Sequence, residues 1–243
     1  MAVVVVVTAY LIGAVPFSNL FARGLRHVDL RTVGTGTVSG TGLYRVAGFG
    51  PLAVAGGLDV AKGALAAALA DGRPGLGALA GGAAVCGHCW SVFLRGAGGR
   101  GISPAMGALA VLAWPGAVVL AVGLAAGRLA RETGLGAFLA DLALVPVLAL
   151  THGVNGVAAG VAVLVPMLAK RLTGNAPPAG TSRGRVLVNR LLFDADEHPP
   201  RASGSPPVVP GGSVATTGGA DADRDPGGGG HDDGTGTGEH QPG

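Results

Sequence analysis

This sequence is short of charge. Asp, Glu, Lys and Arg make up 13% of its 243 residues, whereas 49% are hydrophobic, and the mean hydropathy is +0.51. Several apolar runs of membrane-helix length accompany that shortage, which excludes a water-soluble globule and predicts an integral membrane protein. No basic segment precedes the first apolar run and no small-x-small cleavage site follows it, so residues 2–22 read as a first membrane span rather than a signal peptide. Cysteine is nearly absent: the two present, Cys86 and Cys89, spell C-x-x-C around Gly87 and His88. Disulfide exchange places that pattern at a helix start in a βαβ unit, and zinc needs a fourth ligand that this neighbourhood lacks, so inert buried thiols are predicted. The run from Gly96 to Gly101 fits G-x-G-x-x-G, yet no strand precedes it and no acidic residue follows about 20 positions on, which excludes a dinucleotide fold. His198, His231 and His240 stand too far apart for a metal site. Nucleic acid is excluded as well, because the basic residues behind a net charge of +3 are scattered beside apolar runs, where they fix orientation.

What is present is a set of spans rich in Ala, Val, Leu and Gly, which lets helices approach closely. We read spans over 2–22, 49–70, 75–94, 103–113, 115–129, 134–150 and 153–169, an all-α integral membrane bundle of about seven transmembrane helices. Length alone leaves open whether 103–129 is one kinked helix or two. Charge arbitrates: with seven spans, Arg23, Arg26, Arg31, Arg45, Arg95, Arg100, Arg128, Arg131, Lys170 and Arg171 share one side, and only Arg73 takes the other. Cytoplasmic loops are enriched in Lys and Arg, so the N-terminus is predicted outside and those loops inside. Pro16 interrupts the first span, and Ser18 or Asn19 is expected to satisfy the carbonyl it frees. From about 176 the composition turns to Pro, Gly, Asp and Thr, which predicts a disordered cytoplasmic tail over 176–243 behind a membrane domain of 1–175. Within it, VLVNRLLF (186–193) alone is apolar enough to lie on a membrane surface or form a short element.

Three stretches carry polar chemistry. The segment from Gly87 to Gly107 leaves an apolar helix for a glycine turn, where Gly98, Gly99 and Gly101 are expected to leave backbone N–H groups uncovered beside the planar cation of Arg100. A helix starting near Ser103 and Pro104 aims its positive end at the same spot; a plain cytoplasmic turn is the alternative. The 23–47 loop alternates Gly with Thr and Ser from Gly34 to Gly42 between Arg31 and Arg45, a second anion-friendly segment or else a flexible basic loop. Asp59 and Lys62 share one face of the second span at i, i+3, as a structural ion pair or as part of a polar cavity. The seven-span topology puts both glycine segments on one membrane face, so a single site is geometrically possible.

These stretches resemble the bacterial membrane acyltransferases that use acyl phosphate to acylate glycerol 3-phosphate. AYLIGAVPFSNL (9–20) with VDLRTVGTGTVSGTGLYR (28–45) is similar to that family's first block, LDVAKG (58–63) to its second, and GHCWSVFL (87–94) with GGRGISPAMG (98–107) to its third. The resemblance covers about 1–175 and implies a multi-pass enzyme of phospholipid synthesis in the bacterial cell membrane, with its active face cytoplasmic. Acyl phosphate then lies along a lipid-accessible groove, glycerol 3-phosphate enters from water, and neither a cofactor nor a metal is implied. Residue by residue, Thr35 stands at the family's serine and Arg100 at its lysine, with His88 as an alternative base. Arg31, Gly34, Gly36, Thr37, Ser39, Arg45, Lys62, Gly98, Gly99 and Gly101 are implied as substrate-binding. Thr37 and Gly42 stand where the family has asparagine, and Val165 to Leu168 lacks its late H-R-x-N segment. A catalytically weakened homologue that binds lipid phosphates or a partner is therefore a second reading. A small transporter is the third, opposed by the absence of an inverted repeat and kept open by Asp59 and Lys62 inside a span.

Overall fold

The computed structural model describes residues 1–33, 36–175 and 183–193, and among these every regular element is helical. The chain opens with α1 (Ala2–Ala14) and α2 (Phe17–Arg26), parted where Val15 turns extended ahead of Pro16. Proline lacks the N–H that a continuing helix needs, and it disfavours helical backbone in the residue before it. After a 3-10 turn at Leu30–Thr32 comes α3 (Gly40–Ala47), whose first turn is capped by Ser39, Oγ accepting from the Gly42 N–H at 3.2 Å. Next are α4 (Phe49–Ala68), α5 (Pro74–Cys89), α6 (Ile102–Leu112) and α7 (Trp114–Leu129). Pro74 opens α5 at a position where its missing N–H costs nothing.

The last long helix, α8 (Thr133–Thr173), has 41 residues. Drawn straight it is about 60 Å long, twice the hydrocarbon thickness of a bilayer. It is not straight: Gly153 takes φ 56° and ψ −141°, and beyond it the chain folds back until Gly160 faces Val145 and Leu148. A continuous helix holds residues 145 and 160 about 22 Å apart. The two arms, 133–152 and 154–173, therefore fold back on each other, in keeping with the separate spans read over 134–150 and 153–169. Four stretches have crossing length and composition, 2–26, 49–68, 74–94 and 133–173, while α6 and α7 are shorter apolar helices. The break at Ala113 makes 103–129 two helices rather than one.

Glycine sets the packing. Gly13 and Gly87 bring α1 and α5 into main-chain contact, as Gly63 and Gly107 do for α4 and α6, and a Cβ at any of them overlaps the facing backbone. Val85, Leu109, Leu144, Leu148, Val163 and Met167 fill the interior, while Val3, Val7, Leu11, Val118, Val122 and Leu139 point outward.

Part of the predicted disordered tail is helical. Residues 183–193 form α9, held by burial of Val186 and by Arg190, whose Nη1 donates to the Leu172 and Thr173 carbonyls at 3.2 and 2.9 Å. This helix contains the apolar segment 186–193, the one stretch of the tail read as able to form a short element. Residues 176–182 and 194–243, with His198, His231 and His240, lie outside the described residues.

Candidate active site

The break at Pro16 is the seed of the site. Ending α1 there strips the Ala14 and Val15 carbonyls of regular helical partners, and such groups in an apolar bundle need replacements. The Ser91 hydroxyl donates to the Ala14 carbonyl at 2.6 Å and the Lys62 ammonium to the Val15 carbonyl at 2.8 Å. Ser18 and Asn19, expected in that role, do not fill it: Asn19 Oδ1 instead accepts from the Leu30 N–H at 2.8 Å, fixing the start of the 3-10 turn.

Lys62 is engaged on three sides. Its ammonium donates to the Val15 carbonyl, lies 3.0 Å from His88 Nδ1 and forms an ion pair with Asp59 Oδ1 at 2.7 Å. The Lys62 and Asp59 side chains are 3% and 5% exposed, so the i, i+3 pair lies inside the bundle, with the Phe17 ring centroid 5.7 Å from Nζ. Because an ammonium only donates, His88 Nδ1 must accept, and this network assigns the ring proton to Nε2. His88 Nε2 and the Val38 carbonyl fill the space that a Cβ on Gly99 needs, so only glycine permits the turn to lie this close to the imidazole.

Two loops meet over this cluster. The Val38 N–H donates to the Gly98 carbonyl at 3.1 Å, and the Gly99 N–H to the His88 carbonyl at 3.1 Å. Asn175, just past α8, grips Gly98 on both sides, with the Gly98 N–H donating to Oδ1 at 3.3 Å and Nδ2 donating to the Gly98 carbonyl at 3.0 Å. The Gly98 and Gly99 N–H groups are thus bonded within the protein, not uncovered as the sequence suggests; the segment after α8 and the end of α5 supply their acceptors. Gly101, at φ 82°, is the N-cap of α6 and faces Val85, Cys89 and Met167, away from the loops' meeting point. Arg100 Nη1 donates to the Lys170 carbonyl at 3.2 Å. Lys170, itself buried, places Nζ 5.3 Å over the Trp90 ring and 3.5 Å from the Gly96 carbonyl.

Beneath the two loops is a small recess of about 10 Å³, room for roughly one water-sized group. Val15, Pro16, Phe17 and Leu94 form its apolar wall, and Asp59, His88, Gly98 and Gly99 its polar one. Of the residues singled out in the sequence, His88, Gly98 and Gly99 line it directly, and Lys62 stands behind them. Thr37 is buried in the neighbouring loop, and Gly36, at φ 69°, lies beside the Arg31 carbonyl and Asn175. Ser39 spends its hydroxyl on the cap of α3, and Arg45 is exposed on that helix's last turn. Arg31 is engaged by Asp29, Nη2 to Oδ2 at 2.6 Å, and Arg23 reaches the same oxygen at 2.6 Å. These two guanidinium groups, Arg31 foremost, hold the Asp29 carboxyl well below the usual carboxylate range. Gly34 and Thr35 lie outside the described residues. Sequence reasoning missed Ser91, Lys170 and Asn175; only the hydroxyl of Ser91, one turn from His88, stood inside a block already marked. Cys86 and Cys89 are both free thiols, Cys89 buried.

The glycerol-3-phosphate acyltransferase family profile matches residues 3–175. The chain is 37% identical over 163 residues to the glycerol-3-phosphate acyltransferase of Synechococcus sp. (strain CC9902), covering 65% of this chain and 81% of that one. With its counterpart from Jannaschia sp. (strain CCS1) it shares 38% over 174 residues, 69% of this chain and 83% of that one. Among solved structures it is similar to PlsY, described as an integral membrane glycerol 3-phosphate acyltransferase, in its glycerol 3-phosphate form. The TM-score is 0.65 at 26% identity, over 78% of this chain and 93% of that one.

Proposed function

From the premise that the chain belongs to the glycerol-3-phosphate acyltransferase family, we propose that it transfers an acyl group from acyl phosphate to the 1-hydroxyl of glycerol 3-phosphate, giving lysophosphatidate on the cytoplasmic face of a bacterial membrane. The observation that carries this reading is the recess at the α1–α2 break. Its apolar wall, made by Val15, Pro16, Phe17 and Leu94, suits the start of an acyl chain. Its polar wall lies under the two glycine loops, which suits the phosphate end. Family membership and the crystal neighbour in its glycerol 3-phosphate form support the acceptor.

The chemistry asks little of the protein beyond placement. The acceptor's hydroxyl oxygen attacks the acyl carbonyl carbon, the bond from that carbon to the phosphate oxygen breaks with its electron pair, and the hydroxyl proton passes to the departing phosphate. Orientation and stabilisation of developing negative charge suffice where the leaving group is this good. His88, with Nδ1 occupied by Lys62, presents Nε2–H and so donates a hydrogen bond rather than taking the proton. Arg100, Arg45 and Thr35 are assigned to the phosphates by their places in the family blocks. Arg100 gives up its bond to the Lys170 carbonyl to reach them.

The test is acyl transfer by the purified protein in liposomes, following lysophosphatidate formed from acyl phosphate and glycerol 3-phosphate. Arg100→Ala should lower kcat/KM roughly 10- to 100-fold, the loss expected for one charge-assisted contact. Folded wild-type protein that makes no lysophosphatidate would move the assignment to a weakened homologue. The lack of imidazole or amide at Val165 to Leu168 favours that reading.

A further inference from the structure

The family profile ends at residue 175, and that last matched residue joins Val38 and His88 in securing the glycine turn. Asn175 bonds both the N–H and the carbonyl of Gly98, and its Cβ lies 4.0 Å from where a Cβ of Gly36 would stand, which places it beside the second glycine loop. The residues just before Asn175 are braced by α9. Arg190 donates to the carbonyls of Leu172 and Thr173, and its guanidinium lies against Gly174, whose φ of 62° disfavours any side chain there. The exchange is reciprocal: Arg171, from α8, donates through Nη1 to the Leu191 carbonyl of α9 at 3.1 Å and to the Gly134 carbonyl at 3.2 Å. Each helix thereby presents an arginine to carbonyls near the other's C-terminal end, where carbonyls lack helical partners and cations are favoured.

We propose that Asn175 is a positioning residue for the glycine turn and that α9, acting through Arg190, holds it in place. The carboxamide touches the Gly98 peptide, not a reacting atom, so its effect on the reaction is transmitted by the turn. This rests on the function proposed above only for its kinetic consequence. The structural link from Arg190 to residues 172–175 to Gly98 stands apart from it.

The experiment is hydrogen exchange by mass spectrometry on the full chain in detergent micelles, comparing wild type with Asn175→Ala, Arg190→Ala and the double variant. Exchange of the peptide spanning 96–101 should accelerate about tenfold in each single variant, the size expected when two ordinary hydrogen bonds are lost. The double variant should exchange no faster than Asn175→Ala, because Arg190 acts through it. In liposomes the same variants should raise KM for glycerol 3-phosphate several-fold with kcat within about twofold, a split that general loss of fold does not produce. Release of α9 in Arg190→Ala, seen as fast exchange over 183–193, with 96–101 still protected would overturn the proposal, as would additive effects in the double variant. A wild type without acyl transfer would sink the enzymatic reading and leave the exchange result to decide this one.

Discussion

Two clusters in this molecule are built from the same parts, a carboxylate between two basic side chains, and they differ in where they sit. Asp29 lies between Arg23 and Arg31 in the loop after α2, with side-chain exposures of 17%, 54% and 33%. Asp59 lies between Lys62 and His88 inside the bundle, with 5%, 3% and 13% exposed. Water and salt stand ready to replace any partner lost from the first cluster, and exposed pairs contribute little. Nothing replaces a partner in the second, where an orphaned charge keeps its full desolvation cost. The outer cluster shapes a loop, whereas the inner one ties the end of α1, the middle of α4 and the end of α5 to a single ammonium.

The contrast breaks most clearly at Asp59. Asp59→Ala leaves the Lys62 ammonium buried with one acceptor gone and should cost about 3–5 kcal/mol, read as a loss of thermal stability in detergent. Combining Asp59→Leu with Lys62→Met should recover part of that stability without recovering acyl transfer, separating the fold's need for neutrality from the site's need for these groups. Next is Gly99→Ala. Its methyl group collides with His88 and the Val38 carbonyl, and overpacking of that kind costs about 1–3 kcal/mol. Because the strain falls on the recess, lysophosphatidate formation should drop further than stability does. Ser91→Ala, which removes the 2.6 Å bond to the Ala14 carbonyl, should cost about 1–3 kcal/mol for an unsatisfied buried acceptor. A neutral result at Ser91 would mean that water reaches the α1–α2 break. Smallest is Asp29→Asn, expected within about 1 kcal/mol. Since the Asp29 carboxyl is held below its ordinary value, its contribution is present above the unfolded carboxylate range and is lost as pH falls through the folded value. Melting curves of wild type and Asp29→Asn should therefore keep the same small gap between pH 5 and 8.

The same difference between outside and inside explains what could be read from residues alone. Membrane spans are long-range averages of side-chain hydropathy, so α4, α5, α7 and both arms of α8 were legible, and the span bounds of 134–150 and 153–169 put the reversal next to Gly153. The pairing of Asp59 with Lys62 followed from helical spacing, and the approach of His88 from its block. The acceptors of the Gly98 and Gly99 N–H groups did not follow, because a backbone donor's partner depends on which chain segment the bundle brings alongside. Asn175 was illegible for a second reason: it sits at the edge of a Pro- and Gly-rich stretch whose composition speaks against structure, and only Arg190, fifteen positions on, gives it one. Arg31 looked like a phosphate ligand because spacing cannot tell a cation facing an open loop from one already closed on the carboxylate two residues before it.

The reversal at Gly153 has a consequence for how the protein meets the world beyond its membrane. The helices turn on the side opposite the glycine loops at 69–73, at Ala113 and at Gly153, and the neighbours of the last turn, Leu150 and Val154, are apolar and 89% and 81% exposed. Among the described residues, that end of the bundle offers little besides short turns and the start of α1, so a protease or label acting there has few main-chain segments to reach.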